Sequence, residues 1–436
     1  MAGDTTVKKY PYIHTVKKDA YKKIVNGFVP SSVYIALDKG NKDCIVNPGD
    51  VVKEGQRIGG TAYSSIPGIV EKRELKNMPD GKIGEVVKIS LRGNFSYLGK
   101  IIKEHDYKAY SPAILIRMIE DYGLMNTFIS DNPVSLAKEM KEVAHHRHRL
   151  LIVRLVDDDP SRLIDSVLST TYSEQICKGI EIAAFMINAD GVILVTDKKT
   201  DYRSSFDAIS VPHCMLRIDE KMFPSTYAVE ICHAVKKTFK EKPFDSICKY
   251  DLYMDASTVL ELYRSISKNM PVIDRYILVN GDCLPATGII KVAVGTTFES
   301  IAEQCGGFLK TPQSIIVNGT ITGFSAGSLS VPVTRYVKSI TFNSASKTPV
   351  QTGTQSFCLR CGNCHRACPV HLSPDIIVRH LSGGAAASAD FISSSAFCIA
   401  CGLCNSVCPA RIPLMQIISA GKNISSDSSD MGAKNG

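Results

Sequence analysis

Tryptophan is absent from this 436-residue sequence, and aromatic residues make up only 7% of it. An uninterrupted apolar run of about 18 residues, the length that a helix needs to cross a bilayer, is absent too. Even GIEIAAFMINADGVILV is broken by Glu181, Asn188 and Asp190. The first residues, MAGDTTVKKYPYIHTVKKDAYKK, have neither the apolar core nor the small-residue cleavage site of a secretory signal. We therefore expect a cytosolic chain with no direct membrane span.

Charge of either sign is far from dominant, since the net charge is +8 and the pI is near 8.7. A solvated basic surface is the simplest interpretation, and attraction to acidic partners or anionic lipid is a second one. Because no nucleic-acid-binding module accompanies the basic residues, we expect no nucleic acid partner. Part of the excess lies near the N-terminus, in Lys8, Lys9, Lys17, Lys18, Lys22 and Lys23.

Cysteine is plentiful, with fifteen residues, and in a cytosolic chain this number favours metal or redox chemistry over disulfides. Eight of them fall in two stretches, CLRCGNCHRACPVHL from Cys358 and CIACGLCNSVCPARIPL from Cys398. Both stretches read C-x-x-C-x-x-C-x-x-x-C-P, the signature of a two-cluster ferredoxin module whose fourth cysteine binds the other cluster. The sequence therefore predicts two 4Fe–4S clusters that act as a short electron wire.

The predicted ligands of the first cluster are Cys358, Cys361, Cys364 and Cys408, and those of the second are Cys398, Cys401, Cys404 and Cys368. Gly362 and Gly402 follow the second cysteine of each stretch, where a missing Cβ allows the backbone to approach an inorganic core. The alternative is a pair of structural zinc sites, but zinc prefers separated C-x-x-C pairs.

The cysteine stretches predict a helix-rich module over residues 357–418. Ser373 and Pro374 have the residue types of an N-cap and a first helical position, and Gly383 and Gly384 would end that helix. IPLMQII after the second stretch predicts a matching helix. A polar linker over 341–356 and a disordered tail over 419–436 are expected to flank the module.

The rest of the chain predicts a multidomain α/β and β protein behind a basic arm at residues 1–30. Residues 31–100, with VNPGDVVKEGQRIGG and SSIPGIVEKREL, resemble a biotinyl- or lipoyl-type barrel-sandwich domain. Such domains present a lysine at a hairpin tip, but here Ser64 and Ser65 occupy that place, which favours packing or docking. Residues 101–272 alternate helical patterns, such as SPAILIRMIEDYGL, with the buried strands RLLIVRLV and GVILVTD, which predicts parallel pairing. Residues 273–340 have the strands, turn and short helix of a β-grasp-like unit, with the helix starting at Thr297.

This order of modules resembles the C subunit of the Rnf electron-transport complex, a bacterial membrane assembly that exchanges electrons between ferredoxin and NAD while moving Na⁺ or H⁺. The resemblance rests on the cysteine stretches, on VNPGDVVKEGQRIG and on VNGDCLPATGIIKVAVGTTFESIAEQCGGF. It implies a flavoprotein-type α/β domain, a soluble-ligand-binding (SLBB) β-grasp domain and a peripheral position on the cytoplasmic face of the cell membrane. The implied partners are the other Rnf membrane subunits and a soluble carrier, ferredoxin or flavodoxin.

The flavin site departs from that family. Where the family has a loop close to G-L-G-G-A-G-F-P-T, this chain has YGLMNTFISDNPVS, whose bulkier residues would fill the space of an FMN or a nicotinamide. RLVDDDP and FPSTYAV occupy two other family positions, and they place Arg154, Thr226 and Tyr227 on the same predicted surface. We therefore expect FMN and NADH binding to be lost. The residues in the loop are Met125, Asn126, Thr127 and Phe128.

Two alternative functions stay open at this point: an FMN-containing subunit that oxidises NADH, and a non-catalytic assembly scaffold with structural clusters. Several other groups have simpler interpretations than a site. Residues 157–159 are expected to cap a helix, and the histidines of AHHRHRL to form an exposed basic face. The remaining seven cysteines share no spacing and are expected to be reduced thiols; they are Cys44, Cys177, Cys214, Cys232, Cys248, Cys283 and Cys305.

Overall fold

The structure is a computed structural model that describes residues 24–37, 44–129, 133–198, 200, 202, 206–219, 223–345, 357–382 and 393–421. The described residues divide into two units. The large unit comprises the described residues of 24–319 and 323–345. The cysteine unit comprises residues 320–322, 357–382 and 393–421. None of the described helices is both long and apolar enough to span a membrane.

The strands in the described residues are β1 (Ile24–Asn26), β2 (Ser32–Ala36), β3 (Val51–Val52), β4 (Arg57–Gly59), β5 (Ala62–Tyr63), β6 (Gly68–Asn77), β7 (Ile83–Leu91), β8 (Met125–Asn126), β9 (Val134–Ser135), β10 (Leu150–Arg154), β11 (Gly191–Asp197), β12 (His213–Ile218), β13 (Leu252–Asp255), β14 (Asp274–Asn280), β15 (Gly288–Ala293), β16 (Ser314–Val317), β17 (Phe324–Ala326) and β18 (Ser339–Asn343). The helices are α1 (Pro112–Asp121), α2 (Leu136–Ala144), α3 (Asp165–Thr171), α4 (Ser173–Ile187), α5 (Ala228–Thr238), α6 (Ala256–Ser267), α7 (Phe298–Gln304), α8 (Asn363–Ala367), α9 (Pro374–Ser382) and α10 (Leu403–Ser406). Short 3₁₀ turns lie at Tyr107–Ala109 and Phe244–Ser246, and residues 414–421 are also helical.

The first part of the large unit is antiparallel. A four-stranded sheet in the order β2-β7-β6-β3 and the hairpin β4-β5 enclose a core of alternating aliphatic residues such as Val33, Ile35, Val87 and Ile89. This period of two is what a sheet with one buried face requires. The stretch at Ser64 and Ser65 is buried: the Ser65 hydroxyl donates a hydrogen bond to the Val294 carbonyl oxygen at 2.6 Å. The place where a carrier domain presents its lysine is thus packed against the neighbouring sheet.

A parallel sheet in the order β12-β11-β10-β13 forms the middle of the large unit. Alternate residues of β10 enter two different cores, Leu151 and Val153 on one face and Leu150 and Ile152 on the other, because helices cover both faces. The predicted parallel pairing of RLLIVRLV with GVILVTD is confirmed, as is the helix that begins after Ser111.

A six-stranded mixed sheet in the order β1-β15-β14-β18-β16-β17 completes the large unit. Helix α7 packs on it through Phe298 and Ile301, and the Thr297 hydroxyl caps this helix by accepting a hydrogen bond from the Ser300 amide. Gly306 and Gly307, both with positive φ, follow the helix as predicted. The turn predicted around 285–288 connects the antiparallel strands β14 and β15.

Three predicted boundaries need correction. Residues 24–26, assigned to the basic arm, form β1 because Ile24 packs on the main core and its strand pairs with β15. Residues 341–343, assigned to the linker, belong to β18 because the apolar Phe342 is fully buried among the polar residues that suggested a tether. Residues 419–421, assigned to the tail, are helical. The six N-terminal lysines, Gly383, Gly384, residues 346–356 of the linker and residues 422–436 of the tail lie outside the described residues.

Candidate metal centres

Four cysteines line one cavity of the cysteine unit. Three of them, Cys358, Cys361 and Cys364, come from the first stretch, and the fourth, Cys408, comes from the second. The cavity contains about 340 Å³ of space free of protein atoms. These are the four residues that the sequence predicts as ligands of the first cluster. The rest of the lining is Leu359, Arg360, Gly362, Asp375, Pro409, Ala410, Ile412 and Leu414.

A second cavity, with about 350 Å³ of space free of protein atoms including its open mouth, has the complementary set of cysteines. Cys398, Cys401 and Cys404 come from the second stretch, and Cys368 comes from the first. Apolar residues complete the wall: Pro369, Val370, Leu372, Pro374, Ile399, Leu403, Met415 and Ile418, with Gly402. The short helices α8 and α10, which carry one cysteine each, pack against each other and connect the two cavities.

The same backbone path builds both cavities. In each stretch the residue two after the first cysteine has a left-handed backbone, with φ of 54° at Arg360 and 53° at Ala400. Gly362 and Gly402 follow with φ of 71° and 73°, and each directly precedes a short helix. Left-handed backbone costs a residue with a Cβ about 1 kcal/mol, so glycine suits these two positions. These turns direct the side chains of three successive cysteines into one cavity.

Backbone amides point at the sulfur atoms. The Leu372 N–H donates to Cys368 Sγ at 3.3 Å, and the Ala400 N–H donates to Cys398 Sγ at 3.4 Å. Hydrogen bonds of this kind stabilise thiolate over thiol and tune a bound cluster. Both of these thiols line the second cavity. The donor sets, four thiols around each cavity with amide support at the second, fit 4Fe–4S clusters.

The surroundings of the two cavities differ in exposure. Residues 357–361 are all exposed, whereas Ala400, Cys401, Leu403 and Cys404 are buried. Burial raises the pKa of the Cys401 thiol to about 12 and also raises that of Cys404. A thiolate at either position therefore requires a neighbouring positive charge at neutral pH, which bound iron would supply.

One charged residue beside the first cavity was missed at the level of the sequence. The Cys364 thiol donates to the Asp375 carboxylate, with 3.7 Å between sulfur and oxygen. The equivalent position of the second stretch, eleven residues after its third cysteine, holds Met415, which lines the second cavity. Aligning the two stretches residue by residue would have revealed this difference.

Among the described residues, no three His, Cys, Asp or Glu side chains converge closely enough to hold a single metal ion. His145 and His148 are exposed, while His146 is half-buried with its ring against Tyr250. The seven cysteines outside the two stretches form no disulfide among the described residues.

Side chains fill the predicted flavin surface, which lies at the carboxyl edge of the parallel sheet, where ligands bind in open α/β folds. The guanidinium of Arg154, at the end of β10, lies 4.1 Å from the centre of the Phe128 ring and donates to the Phe128 carbonyl oxygen at 2.8 Å. It also donates to the Thr226 carbonyl oxygen at 3.2 Å. Arg154 is 1% exposed and Phe128 5%. The structure thus brings together three of the positions at which the chain departs from the Rnf family.

Two other residues of the predicted flavin loop, Asn126 and Thr127, form hydrogen bonds with residues at the same edge of the sheet. Thr127 donates through its hydroxyl to the Asp255 carboxylate, and its amide donates to the Thr258 hydroxyl. Asn126 donates to Glu139 and to the Tyr253 carbonyl oxygen. Met125 is half-buried in β8, and Tyr227 lies at the N-cap of α5.

Asp157, Asp158 and Asp159 have three different tasks. Asp157 caps α3 by accepting hydrogen bonds from the amides of Ile164, Asp165 and Ser166, as expected for a capping turn. Asp158 does not cap a helix; it pairs with Arg154 and Arg162, because both guanidinium groups are buried and require a counter-charge. Asp159 accepts from the amide and hydroxyl of Ser161.

A buried lysine joins this edge from a distant part of the chain. The ammonium of Lys338, which directly precedes β18, lies 2.8 Å from the Asp165 carboxylate and 2.5 Å from that of Asp255, and all three side chains are fully buried. Burial opposes ionisation of Asp255, but the positive charges of Lys338 and Arg154 prevail and hold its pKa well below the ordinary value. No periodic pattern in the sequence indicates this contact, because Asp165 and Asp255 lie 173 and 83 positions before Lys338.

Comparison with known proteins gives a consistent set of relatives, although no protein-family model matches the chain. The C subunit of the proton-translocating ferredoxin:NAD(+) oxidoreductase complex of Clostridium ljungdahlii is 23% identical over 377 residues, which cover 83% of this chain and 81% of the relative. The Na(+)-translocating counterpart of Acetobacterium woodii is 26% identical over 353 residues, 76% of each chain. The chain is a homologue of the Rnf C subunit.

A third relative, the C subunit of the ion-translocating oxidoreductase complex of Vibrio cholerae, is 24% identical over 82% of this chain, which spans only 48% of that longer protein. The resemblance drawn from the cysteine stretches and the order of modules is confirmed, and these relatives are subunits of oxidoreductase complexes. Among solved structures, a chain of an NAD+-reducing [NiFe]-hydrogenase aligns with 72% of this chain and 63% of its own length, at 14% identity and a TM-score of 0.48.

Proposed function

We propose that this chain is the peripheral electron-transfer subunit of an Rnf-type ion-translocating oxidoreductase complex, on the cytoplasmic face of the bacterial membrane. It would relay electrons between a soluble carrier, ferredoxin or flavodoxin, and the membrane subunits of the complex. The observation that carries the proposal is the arrangement of eight cysteines around two adjoining cavities, four to each. Homology to the Rnf C subunit supplies the setting.

The proposed ligands are those drawn from the spacing: Cys358, Cys361, Cys364 and Cys408 for one 4Fe–4S cluster, and Cys398, Cys401, Cys404 and Cys368 for the other. When bound, each cluster would accept and pass on one electron at a time. The chain's own residues position the thiols and donate amide hydrogen bonds to the sulfur atoms of Cys368 and Cys398. Gly362 and Gly402 adopt the left-handed backbone that leads each loop into its short helix.

We propose further that the α/β domain has lost FMN and NADH binding. The support is that Arg154 and Phe128 fill the carboxyl edge of the parallel sheet. The Arg154 guanidinium lies over the Phe128 ring, donates to the Phe128 carbonyl oxygen and pairs with the Asp158 carboxylate. An incoming flavin phosphate would have to displace a buried ion-pair network, at a cost of several kcal/mol. In the proposed arrangement this domain supports the fold, and electrons pass only through the cysteine unit.

The proposed domain assignment keeps the modules expected from the sequence: a barrel-sandwich domain, a degenerate flavoprotein-type α/β domain, an SLBB β-grasp domain and a two-cluster ferredoxin-type domain. The support for the first and third is the antiparallel sheet with its hairpin and the strand pair that precedes α7.

Anaerobic purification of the full chain tests the function. We expect about eight irons and a matching amount of sulfide per chain, no flavin, and an EPR signal after reduction with dithionite. Reduced ferredoxin or flavodoxin should bleach the cluster absorption, and NADH should not. Zinc in place of iron would overturn the proposal, whereas stoichiometric FMN with NADH-dependent bleaching would replace it with an NADH-oxidising subunit.

A further inference from the structure

The two cavities differ in how a partner could reach them. Phe357, which precedes the first cysteine stretch, is 95% exposed, and Leu359 within it is 65% exposed. Cys358, Arg360 and Cys361 are exposed as well. We name residues 357–361 the exposed loop. It forms one wall of the first cavity, through Cys358, Leu359, Arg360 and Cys361.

The corresponding loop of the second cavity is buried. Ala400, Cys401, Leu403 and Cys404 are each less than 10% exposed. A Cβ placed on Gly402 would lie only 2.7 Å from the carbonyl oxygen of Ile321, so that segment lies directly on the loop. Phe397, in the position equivalent to Phe357, is exposed, but Cys398 and Ile399 after it are half-buried and Ala400 is buried.

The exposed charged side chains of the cysteine unit are positive in its described residues. In the described residues of the cysteine unit, Asp375 is the one carboxylate, and it is turned towards Cys364. Arg366 donates to the carbonyl oxygen of Cys361 at 3.3 Å, which holds a second guanidinium beside the exposed loop. The four exposed arginines of the unit are Arg360, Arg366, Arg379 and Arg411.

We propose that the exposed loop, with Arg366 at its side, is the docking surface for a small acidic redox protein that exchanges electrons at the first cavity. An apolar centre with a charged rim, rich in aromatic residues and arginine, is the composition of protein-binding surfaces. Arginines at the rim attract an acidic partner and raise its association rate. Because electron transfer weakens steeply with distance, the carrier must approach the cavity whose wall is the exposed loop, and the second cavity then receives electrons from within the unit.

This inference rests on the proposed electron-transfer function and adds to it the port and the chemistry of the partner. The test is stopped-flow reduction of the anaerobically purified full chain by an excess of reduced acidic ferredoxin, at low and at high salt. Arg360→Glu should lower the second-order rate constant about tenfold at low salt and much less at high salt. Phe357→Ser should lower it several-fold at both salt concentrations, since it removes apolar contact and leaves the charge unchanged.

The chain offers matched controls. Arg379→Glu makes the same charge change on α9, and Phe397→Ser removes the equivalent aromatic ring of the second stretch; both should stay within about twofold of the wild type. Excess dithionite should reduce both clusters fully in every variant, and EPR should show both clusters in each. A redox titration of each variant separates a shift in cluster potential from a change in docking. Should Arg360→Glu fail to load clusters, Arg360→Gln and Phe357→Ser answer the same question.

Rapid reduction of the wild type with equal rates in Arg360→Glu and Phe357→Ser would overturn the docking surface and leave the proposed function standing. A wild type that ferredoxin and flavodoxin both fail to reduce would remove the proposed function together with the docking surface. If Arg360→Glu is reduced normally but no longer co-purifies with the membrane subunits, the surface is an interface within the complex and the docking proposal is wrong.

Discussion

The carboxyl edge of the parallel sheet and the cysteine unit are both places where a redox group could bind, and the chain builds them in opposite ways. At the sheet edge, Arg154, Phe128 and Lys338 occupy the space, and each is paired or packed within the protein. In the cysteine unit, thiols surround two cavities, and three of those thiols, Cys364, Cys401 and Cys404, are buried in positions that disfavour their charged form.

This difference teaches what a protein needs in order to fill the ligand-binding edge of a parallel sheet with its own side chains. Replacing small residues by large ones is not enough, since a buried arginine needs a carboxylate and a buried carboxylate needs a cation. The edge meets both needs from within, through Asp158, Asp165 and Asp255. The buried thiols of the second cavity have no such internal counter-charge among their described hydrogen-bond partners, which is the pattern expected where an external group supplies the charge.

The largest effect is expected in the cysteine unit. Cys401→Ser should reduce the iron content from about eight to about four per chain, because it removes one of the four thiols of the second cavity. Iron analysis and EPR of anaerobic material measure this. Cys44→Ser, which changes a thiol outside both stretches, should keep all the iron. Unchanged iron in Cys401→Ser would contradict the proposed ligand set.

The next largest effect is expected at the carboxyl edge of the parallel sheet. Lys338→Met should lower the free energy of unfolding by about 3–5 kcal/mol, because the carboxylates of Asp165 and Asp255 stay buried without their ammonium partner. Denaturant unfolding followed by circular dichroism measures the change. Lys291→Met is the control, because Lys291 is partly exposed and Arg264 still pairs with Asp274 after the change. That variant should lose less than about 1 kcal/mol. A Lys338→Met protein as stable as this control would show that the edge is not held by its ions.

A pH dependence follows from Glu139, which accepts a hydrogen bond from Asn126 beside the carboxyl edge of the parallel sheet. Burial raises the pKa of Glu139 from 4.5 to about 7. Its folded pKa lies above its unfolded one, so ionisation destabilises the fold, and stability should fall between about pH 4.5 and 7 and then level off. Glu139→Gln should therefore gain up to about 3 kcal/mol at pH 8 and almost nothing at pH 4.5. Glu142→Gln, on the exposed face of α2, should show no such gain at either pH. A Glu139→Gln variant with an unchanged pH profile would contradict the assignment.

The two glycines sharpen the comparison within the cysteine unit. Gly362→Ala and Gly402→Ala carry the same left-handed backbone strain of about 1 kcal/mol. Only the new methyl at 402 meets the Ile321 carbonyl oxygen, since the nearest atom to a Cβ at 362 is the end of the Arg366 side chain at 3.8 Å. Gly402→Ala should thus be less stable than Gly362→Ala by about 1–3 kcal/mol, as thermal unfolding of the two variants would measure. Equal losses would mean that the Ile321 segment does not lie on the second loop.

The smallest effect is expected at Asp375. Asp375→Asn should raise the reduction potential of one cluster by on the order of 50 mV and leave the other unchanged, because it removes a negative charge beside Cys364. The reciprocal Met415→Asp should lower the potential of the other cluster. Redox titration monitored by EPR distinguishes the two signals. If neither potential moves, these side chains do not face the clusters.

The sequence predicted the elements that depend on local patterns. The parallel strands of RLLIVRLV and GVILVTD, the helix after Ser111 and the capped helix after Thr297 all follow from periodicity and capping residues. The cysteine spacing predicted the ligand sets, and these stay a prediction. Lys338 could not be found in this way, because its role depends on two aspartates that the fold alone brings to it. Asp158 was misjudged for the same reason: an acidic residue before a helix looks like a cap until its buried arginines are known.

Lys338 also links two sheets that could otherwise have evolved independently of each other. It stands where β18 begins, in the mixed sheet, and its charge is neutralised by aspartates at the edge of the parallel sheet. Neither sheet could be transferred to another protein without leaving Lys338, or Asp165 and Asp255, without an ionic partner. Any evolutionary exchange of these segments would therefore have to move them as one block.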